Sequence, residues 1–156
     1  MYELSQRVVL LVEDNADDEL MTLRAFRRSN LHNPVVVVRD GAEALDYLFM
    51  QGRHAQRDPS IRPQVVLLDL HLPRIDGLEV LRRIRANEQT RALPVVVLTS
   101  SKEERDLVES YELGVNSFVH KPVDVTAFFE AVRQLGMYWL VLNELPSAAL
   151  SPRRSA

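Results

Sequence analysis

Hydrophobic and polar positions follow two different periods along the chain. Five short runs are almost continuously apolar, which is typical of strands buried on both faces of a sheet. These runs occupy residues 7–12, 34–39, 64–68, 94–98 and 117–119. Five other segments repeat apolar side chains every three or four residues, which predicts helices with one buried face. These segments occupy residues 16–30, 41–50, 76–87, 102–112 and 124–144.

The alternation of strands and helices predicts βαβ units. Because crossovers between parallel strands are right-handed, the helices should cover both faces of the sheet. We therefore predict an α/β fold of the flavodoxin-like, doubly wound kind, with a five-stranded parallel sheet of order 2-1-3-4-5 in a three-layer αβα sandwich. One domain should cover residues 1–145, with a polar loop at 51–63, and residues 146–156 should form a disordered tail after Pro146.

Composition narrows the classes of function. Hydrophobic residues make up 46% and charged residues 26% of the 156 residues, which suits a globular domain. The net charge of −3 argues against a polyanion-binding surface, so we expect no nucleic-acid partner. The absence of cysteine excludes disulfides, thiolate nucleophiles and zinc–cysteine sites. Without a signal-peptide pattern or a run of membrane-spanning length, we expect a cytoplasmic protein with no membrane partner.

Carboxylates follow two of the predicted strands directly. Asp69 comes after four consecutive apolar residues, and Glu13 and Asp14 follow the first strand. The carboxyl ends of parallel strands form one edge of the sheet, where ligands bind. Three carboxylates at one edge repel one another, and Mg²⁺ would relieve that repulsion because it prefers oxygen ligands. The sequence therefore predicts a magnesium site.

Two further polar residues stand where the fourth and fifth strands end. Thr99 follows the run PVVVL, and Lys121 precedes Pro122. With a metal present, Asp69 could attack a phosphoryl donor, while the hydroxyl and the ammonium stabilise charge on the transferring group. Taken singly, Thr99 fits a helix cap and Lys121 a solvated loop residue. Their joint placement at strand ends favours the phosphoryl site.

Four motifs together resemble those of response-regulator receiver domains, which accept phosphoryl groups in two-component signalling. They are VEDN at 12–15, LLDLHLPRIDG at 67–77, VVVLTSS at 95–101 and FVHKP at 118–122. They occur in the family's order and on the expected elements. The resemblance extends from residue 7 to about residue 144 and implies the CheY-like form of the predicted fold.

The resemblance also implies roles for the site residues. Asp69 would be the phosphoacceptor, and Asp14 with Asp69 would ligate Mg²⁺. Glu13 would act mainly through metal-bound water, and the backbone carbonyl of His71 would complete the protein ligands. The protein would promote its own phosphorylation and dephosphorylation without having a turnover substrate.

Thr99 and Lys121 would hold the phosphoryl oxygens in such a domain. The Lys121–Pro122 peptide bond would be cis. Phe118 matches the family's aromatic switch position, and its alternative interpretation is a core aromatic residue. The His71 side chain should face solvent beside the phosphoryl group, and His32, His54 and His120 are interpreted as surface groups.

The last predicted helix carries more apolar surface than one packed face needs. The run MYWLVL at 137–142 is apolar all round, so part of it should remain exposed. We predict a homodimer through the fourth helix, the fifth strand and this last helix.

The 51–63 insertion and the ending YWLVLNELP resemble single-domain regulators that pair with phytochrome-type sensor kinases. This likeness implies a histidine kinase as partner and a histidine phosphotransfer protein as a possible second partner.

Two alternatives to a phosphate-accepting receiver stay open. A haloacid-dehalogenase-like phosphatase would need a second Asp where His71 stands, and a pseudo-receiver would never take phosphate. A flavodoxin-like cofactor binder would need a glycine-rich phosphate loop after the first strand, where the acidic EDNADD lies instead.

Overall fold

The structure of the chain, a computed structural model, describes residues 7–145, and the predicted tail at 146–156 lies outside them. The strands are β1 (Arg7–Val12), β2 (Val35–Val38), β3 (Arg62–Leu68), β4 (Val95–Thr99) and β5 (Ser117–His120). The α-helices are α1 (Ala16–Arg28), α2 (Gly41–Phe49), α3 (Gly77–Ala86), α4 (Glu104–Glu112) and α5 (Val125–Gly136). The strands form one parallel sheet of order β2-β1-β3-β4-β5, which confirms the predicted fold.

Side chains of the central strands divide between two cores, because successive residues of a strand point to opposite faces. Leu10 and Val12 of β1 pack on the face that α2 and α3 cover. Val9 and Leu11 pack on the opposite face, against α1 and α5. Burial on both faces explains why β1, β3 and β4 are almost purely apolar.

Four helices begin at a side-chain cap. In each, an Asn or Asp oxygen accepts hydrogen bonds from backbone N–H groups of the first turn, which have no partner within the helix. The capping residues are Asn15, Asp40, Asp76 and Asp124. At the other end of α4, Gly114 has a φ of +87°, a conformation that glycine adopts without steric cost. These signals fix where each connecting loop meets the edge of the sheet.

The last helix does not continue to residue 144 as the periodicity predicts. It ends at Gly136, and a π-helical turn follows over Met137–Leu142. Trp139 and Leu140 are buried, with 8% and 6% of their surface exposed, whereas Val141 and Leu142 are 59% and 68% exposed. Since every residue of this turn is apolar, hydrophobic period alone cannot locate the change in winding.

The polar segment 51–63 is held to the domain by one arginine. The Arg57 guanidinium lies 4.4 Å from the centroid of the Tyr47 ring. Its Nε donates to the carbonyl of Tyr47 at 2.6 Å, and its Nη1 donates to that of Ile61 at 3.1 Å. His54 is half-buried and lies 3.0 Å from Glu43, so it is a surface group whose ring has a partner. Its ring packs edge-on against the Tyr47 ring, a contact that sequence spacing does not show and that shields part of His54 from solvent.

Within residues 7–145, no helix combines the length and the apolar character needed to cross a membrane.

Candidate functional site

The carboxyl ends of four strands bring the predicted polar residues together. Glu13 follows β1, Asp69 follows β3, Thr99 ends β4 and Lys121 follows β5. All four side chains are buried, although strongly polar residues are rarely buried without partners. Asp14 lies beside them and is exposed to solvent. The site therefore has a buried floor and an open side.

Lys121 is the centre of the buried charges. Its Nζ donates to Glu13 Oε2 at 2.7 Å, to Asp69 Oδ2 at 2.8 Å and to Asp18 Oδ2 at 2.8 Å. An ammonium group has three N–H donors, so these contacts use all of them. Lys121 thus ties the ends of β1 and β3 and the first turn of α1 to the end of β5.

The second oxygen of Asp69 is held separately. Asp69 Oδ1 accepts from Thr99 Oγ1 at 3.1 Å and from the backbone N–H of His71 at 3.0 Å. Gly77, the first residue of α3, packs directly on this strand end. A Cβ at Gly77 would lie 2.6 Å from Leu70 Cα and would overlap the Asp69 carbonyl, so only glycine permits the approach. The carboxylate is consequently fixed through both oxygens and through its backbone.

Glu13, Asp14 and Asp69 form an acidic triad. Each contributes a carboxylate oxygen, and these oxygens lie within 4.8 Å of one another. Oxygen donors alone, one of them open to solvent, fit a hard divalent cation that keeps part of its water shell. The donor set therefore suits Mg²⁺ or Mn²⁺ better than zinc, which favours nitrogen and sulfur ligands.

Burial and charge shift the pKa values of two site residues in the same direction. Burial raises the pKa of Glu13 to about 7, although the hydrogen bond from Lys121 opposes the rise. Burial alone would lower the pKa of Lys121, but hydrogen bonds to Asp18, Asp69 and Glu13 outweigh it, and the pKa lies above its ordinary value. A single ammonium shared by three carboxylates stays charged yet compensates each carboxylate only in part.

Hydrogen bonds continue from Thr99 to α4. Thr99 Oγ1 accepts from the backbone N–H of Ser101 at 3.2 Å. Ser101 Oγ in turn donates to Asp106 Oδ2 at 2.6 Å and accepts from the Glu103 N–H at 3.3 Å. Ser101 and Asp106 are both buried, so this chain of contacts joins the strand end to the first turn of α4.

At this edge one prediction from the sequence is wrong, and one site residue was missed. The Lys121–Pro122 bond is not cis, and that prediction is wrong; the trans form is the more stable isomer of an X–Pro bond by about 0.5–1 kcal/mol. Asp18, in the first turn of α1, is a site residue that the sequence patterns did not single out, and it binds Lys121. Its place in the first turn of α1, which begins just after the carboxylates that follow β1, was the available signal.

The remaining predicted residues lie nearby. The His71 side chain is exposed, as expected, and its backbone N–H faces Asp69. Phe118 is half-buried against the core beneath α2 and α3 and also lines a groove with Ser101 and Leu107. This position agrees with both interpretations of Phe118, as a core aromatic residue and as a switch residue whose ring turns.

Comparison with known proteins identifies the family. Residues 9–133 match the response regulator receiver domain. Response regulator Rcp1 of Synechocystis sp. is 38% identical over 142 residues, which cover 91% of this chain and 95% of Rcp1. The crystal structure of the Mn(2+)-bound form of Rcp1 superposes with a TM-score of 0.82 at 37% identity, covering 89% of this chain and 98% of Rcp1.

Two other solved structures are similar. The phosphorylated cyanobacterial phytochrome response regulator RcpA has a TM-score of 0.83 at 39% identity, over 89% of this chain and 97% of RcpA. The bacteriophytochrome response regulator AtBRR is 56% identical with a TM-score of 0.70, over 88% of this chain and 98% of AtBRR. The family match covers well over half of the chain, and the sheet order and strand-end residues agree with it. The chain belongs to the response regulator receiver domain family.

Proposed function

We propose that this response regulator accepts a phosphoryl group on Asp69 from a histidine kinase in a Mg²⁺-dependent reaction. The observation that carries the proposal is the environment of Asp69: a buried carboxylate held by Lys121 through Oδ2 and by Thr99 through Oδ1. A nucleophile so oriented needs little reorganisation when the donor arrives.

In the proposed transfer, an Asp69 carboxylate oxygen forms a bond to phosphorus while the bond from phosphorus to the donor's histidine nitrogen breaks. The freed imidazole keeps the electron pair of that bond. Lys121 and Thr99 would then donate hydrogen bonds to the phosphoryl oxygens, where negative charge collects.

Asp14 and Asp69 would hold Mg²⁺, with Glu13 acting through metal-bound water and the His71 carbonyl as a further ligand. When bound, the ion supplies positive charge that offsets the carboxylates and the incoming phosphoryl group. The acidic triad and the Mn(2+)-bound form of the related Rcp1 support this assignment.

The signal would leave the site through α4. Movement of Thr99 toward a phosphoryl oxygen would disturb its contact with the Ser101 N–H, and Ser101 is bonded to Asp106 in α4. The groove lined by Ser101, Leu107 and Phe118 would change with it. Phosphate would thereby stabilise one of two conformations of the face formed by α4, β5 and α5.

Two relatives support a phytochrome-type kinase as the partner. RcpA is a cyanobacterial phytochrome response regulator, and AtBRR is a bacteriophytochrome response regulator. We propose the same kind of pathway for this chain, with a histidine photosensor kinase as donor and a histidine phosphotransfer protein as a second candidate partner.

The alternative of a haloacid-dehalogenase-like phosphatase is not supported. Its acid–base carboxylate would stand at position 71, where the exposed His71 lies, and the chain belongs to the receiver family. A pseudo-receiver differs from our proposal only in never taking phosphate, so labelling of Asp69 separates the two.

Incubation with Mg²⁺ and a small phosphodonor, followed by intact-mass analysis, tests the proposal. We expect a phosphoryl adduct on the wild type and none on Asp69→Asn. Asp58→Asn is the matched control, because Asp58 is an exposed carboxylate in the 51–63 segment, and it should label like the wild type. Equal labelling of wild type and Asp69→Asn, or labelling of neither, would contradict the proposed function.

A further inference from the structure

Asp18 is bound to the site but lies outside the residues that the proposed reaction uses. It belongs to the first turn of α1, and its carboxylate is 2.8 Å from Lys121 Nζ. Its side chain is only 23% exposed, so this ion pair is partly shielded from solvent. A shielded pair is weakened less by salt and water than one on the open surface.

The three carboxylates around Lys121 are not equivalent. Glu13 and Asp69 belong to the acidic triad, so a bound cation would draw on their charge. Asp18 is not a member of the triad and would keep its full charge for Lys121. Once a divalent cation is present, Asp18 is therefore expected to hold the ammonium more firmly than its two neighbours do.

A phosphoryl group on Asp69 would need a donor from Lys121. All three N–H groups of the ammonium already have carboxylate partners in the described structure. One contact must break or be shared before Nζ can bind a phosphoryl oxygen. Without the Asp18 contact, Glu13 and Asp69 would still orient the lysine, and one donor would be free.

We propose that Asp18 is a positioning residue that competes with the phosphoryl group for Lys121 and so limits the stability of the phosphorylated state. The inference rests on the proposed function. Weakening the contact between Asp18 of α1 and Lys121 would lengthen the lifetime of the phosphoryl group on Asp69, without changing the nucleophile, the threonine or the metal ligands.

The test is the affinity of the protein for beryllofluoride, a phosphoryl analogue, in the presence of Mg²⁺, measured from bound and free ¹⁹F NMR signals. Asp18→Asn should bind the analogue about five- to tenfold more tightly than the wild type, because the amide competes weakly for the ammonium. Asp18→Glu keeps the carboxylate and should restore an affinity close to that of the wild type.

Asp17→Asn is the matched control. Asp17 is an exposed carboxylate in the same turn of α1, so its neutralisation removes one negative charge and changes the helix N-terminus similarly. We expect its affinity to stay within about twofold of the wild type, since at its greater exposure only a screened, long-range charge effect applies. A thermal melt of each variant would confirm that it is folded.

Equal tightening by Asp17→Asn and Asp18→Asn would overturn the inference, because the effect would then be general electrostatics. Unchanged or weaker binding of beryllofluoride by Asp18→Asn would overturn the inference as well. The proposed function would still stand in that case, provided that the wild type binds beryllofluoride and that this binding requires Asp69. Failure of the wild type to bind beryllofluoride at all would count against both.

Discussion

At the scale of single residues, the site is a balance between one ammonium and the carboxylates around it. Lys121 contacts three of them, and Asp14 adds a fourth negative group at the open side. Such an arrangement favours uptake of a cation and disfavours deprotonation of the most buried acid. Glu13 is that acid, because only 3% of its surface is exposed.

Mg²⁺ affinity should depend on pH through Glu13. Burial raises the pKa of Glu13 to about 7 in the metal-free protein, so the carboxyl group is mostly protonated at pH 6 and mostly ionised at pH 8. Since the cation competes with that proton, binding should be up to about tenfold weaker at pH 6 than at pH 8. Calorimetric titrations in buffers of different ionisation enthalpy would also detect release of the proton.

Glu13→Gln provides the control for this pH dependence. The amide keeps a similar size and has no proton to lose, so its Mg²⁺ affinity should be lower overall and nearly flat between pH 6 and pH 8. A wild-type affinity that stays constant over the same range, or a Gln variant with the full dependence, would be inconsistent with a titrating Glu13.

At the scale of elements, the turn that follows α5 presents two faces of opposite character. Trp139 and Leu140 pack into the core shared by α1 and α5, and Gln64 Nε2 donates to the Trp139 carbonyl at 3.3 Å. Val141 and Leu142, next along the chain, are exposed. Trp139 and Leu140 therefore stabilise the fold, whereas Val141 and Leu142 contribute apolar surface that faces solvent.

Matched leucine truncations should separate the two faces. Leu140→Ala removes a buried side chain and should lower the free energy of unfolding by about 2–5 kcal/mol. Leu142→Ala removes a side chain that is 68% exposed and should change it by no more than about 0.5 kcal/mol. Urea denaturation at low protein concentration measures both, and similar losses for the two variants would argue against this arrangement of the turn.

At the scale of the whole molecule, exposed apolar side chains gather at one side of the sheet. Tyr138 lines a groove with Val119 and Leu135 beside β5, the edge strand. Met137, Val141 and Leu142, in the same turn as Tyr138, are also apolar and exposed. We propose that this surface, with α4, mediates the homodimer predicted from the sequence.

Light scattering tests the assembly. The wild type should have the mass of a dimer at high protein concentration, and the double substitution Val141→Glu and Leu142→Glu should yield a folded monomer, because like charges would meet across the interface. Glutamate at Val108 of α4, which is 46% exposed, would show whether that helix takes part. A strictly monomeric wild type, both with and without phosphorylation, would refute the dimer.

Particular residues show which structural features the sequence predicts and which it does not. Valine-rich runs predicted strands such as β4, because a strand that is buried on both faces can be recognised from consecutive residues of the chain. The end of α5 was missed because MYWLVL has no polar face to reveal its period. The restraint of the 51–63 segment by Arg57 was missed because it depends on where the Tyr47 ring lies.

The sequence by itself determined the α/β fold, the order of the strands and the identity of the polar residues at their ends. Local hydrophobic periods and short motifs encode these features, so no distant contact is needed to read them. Only the tertiary structure decided which charged side chains contact one another. Asp18 and Lys121 are 103 residues apart, and their contact exists because α1 and α5 pack on the same face of the sheet, which brings the first turn of α1 to the residue that follows β5. It also decided which half of an apolar turn is buried, since that choice depends on the shape of the core that receives it.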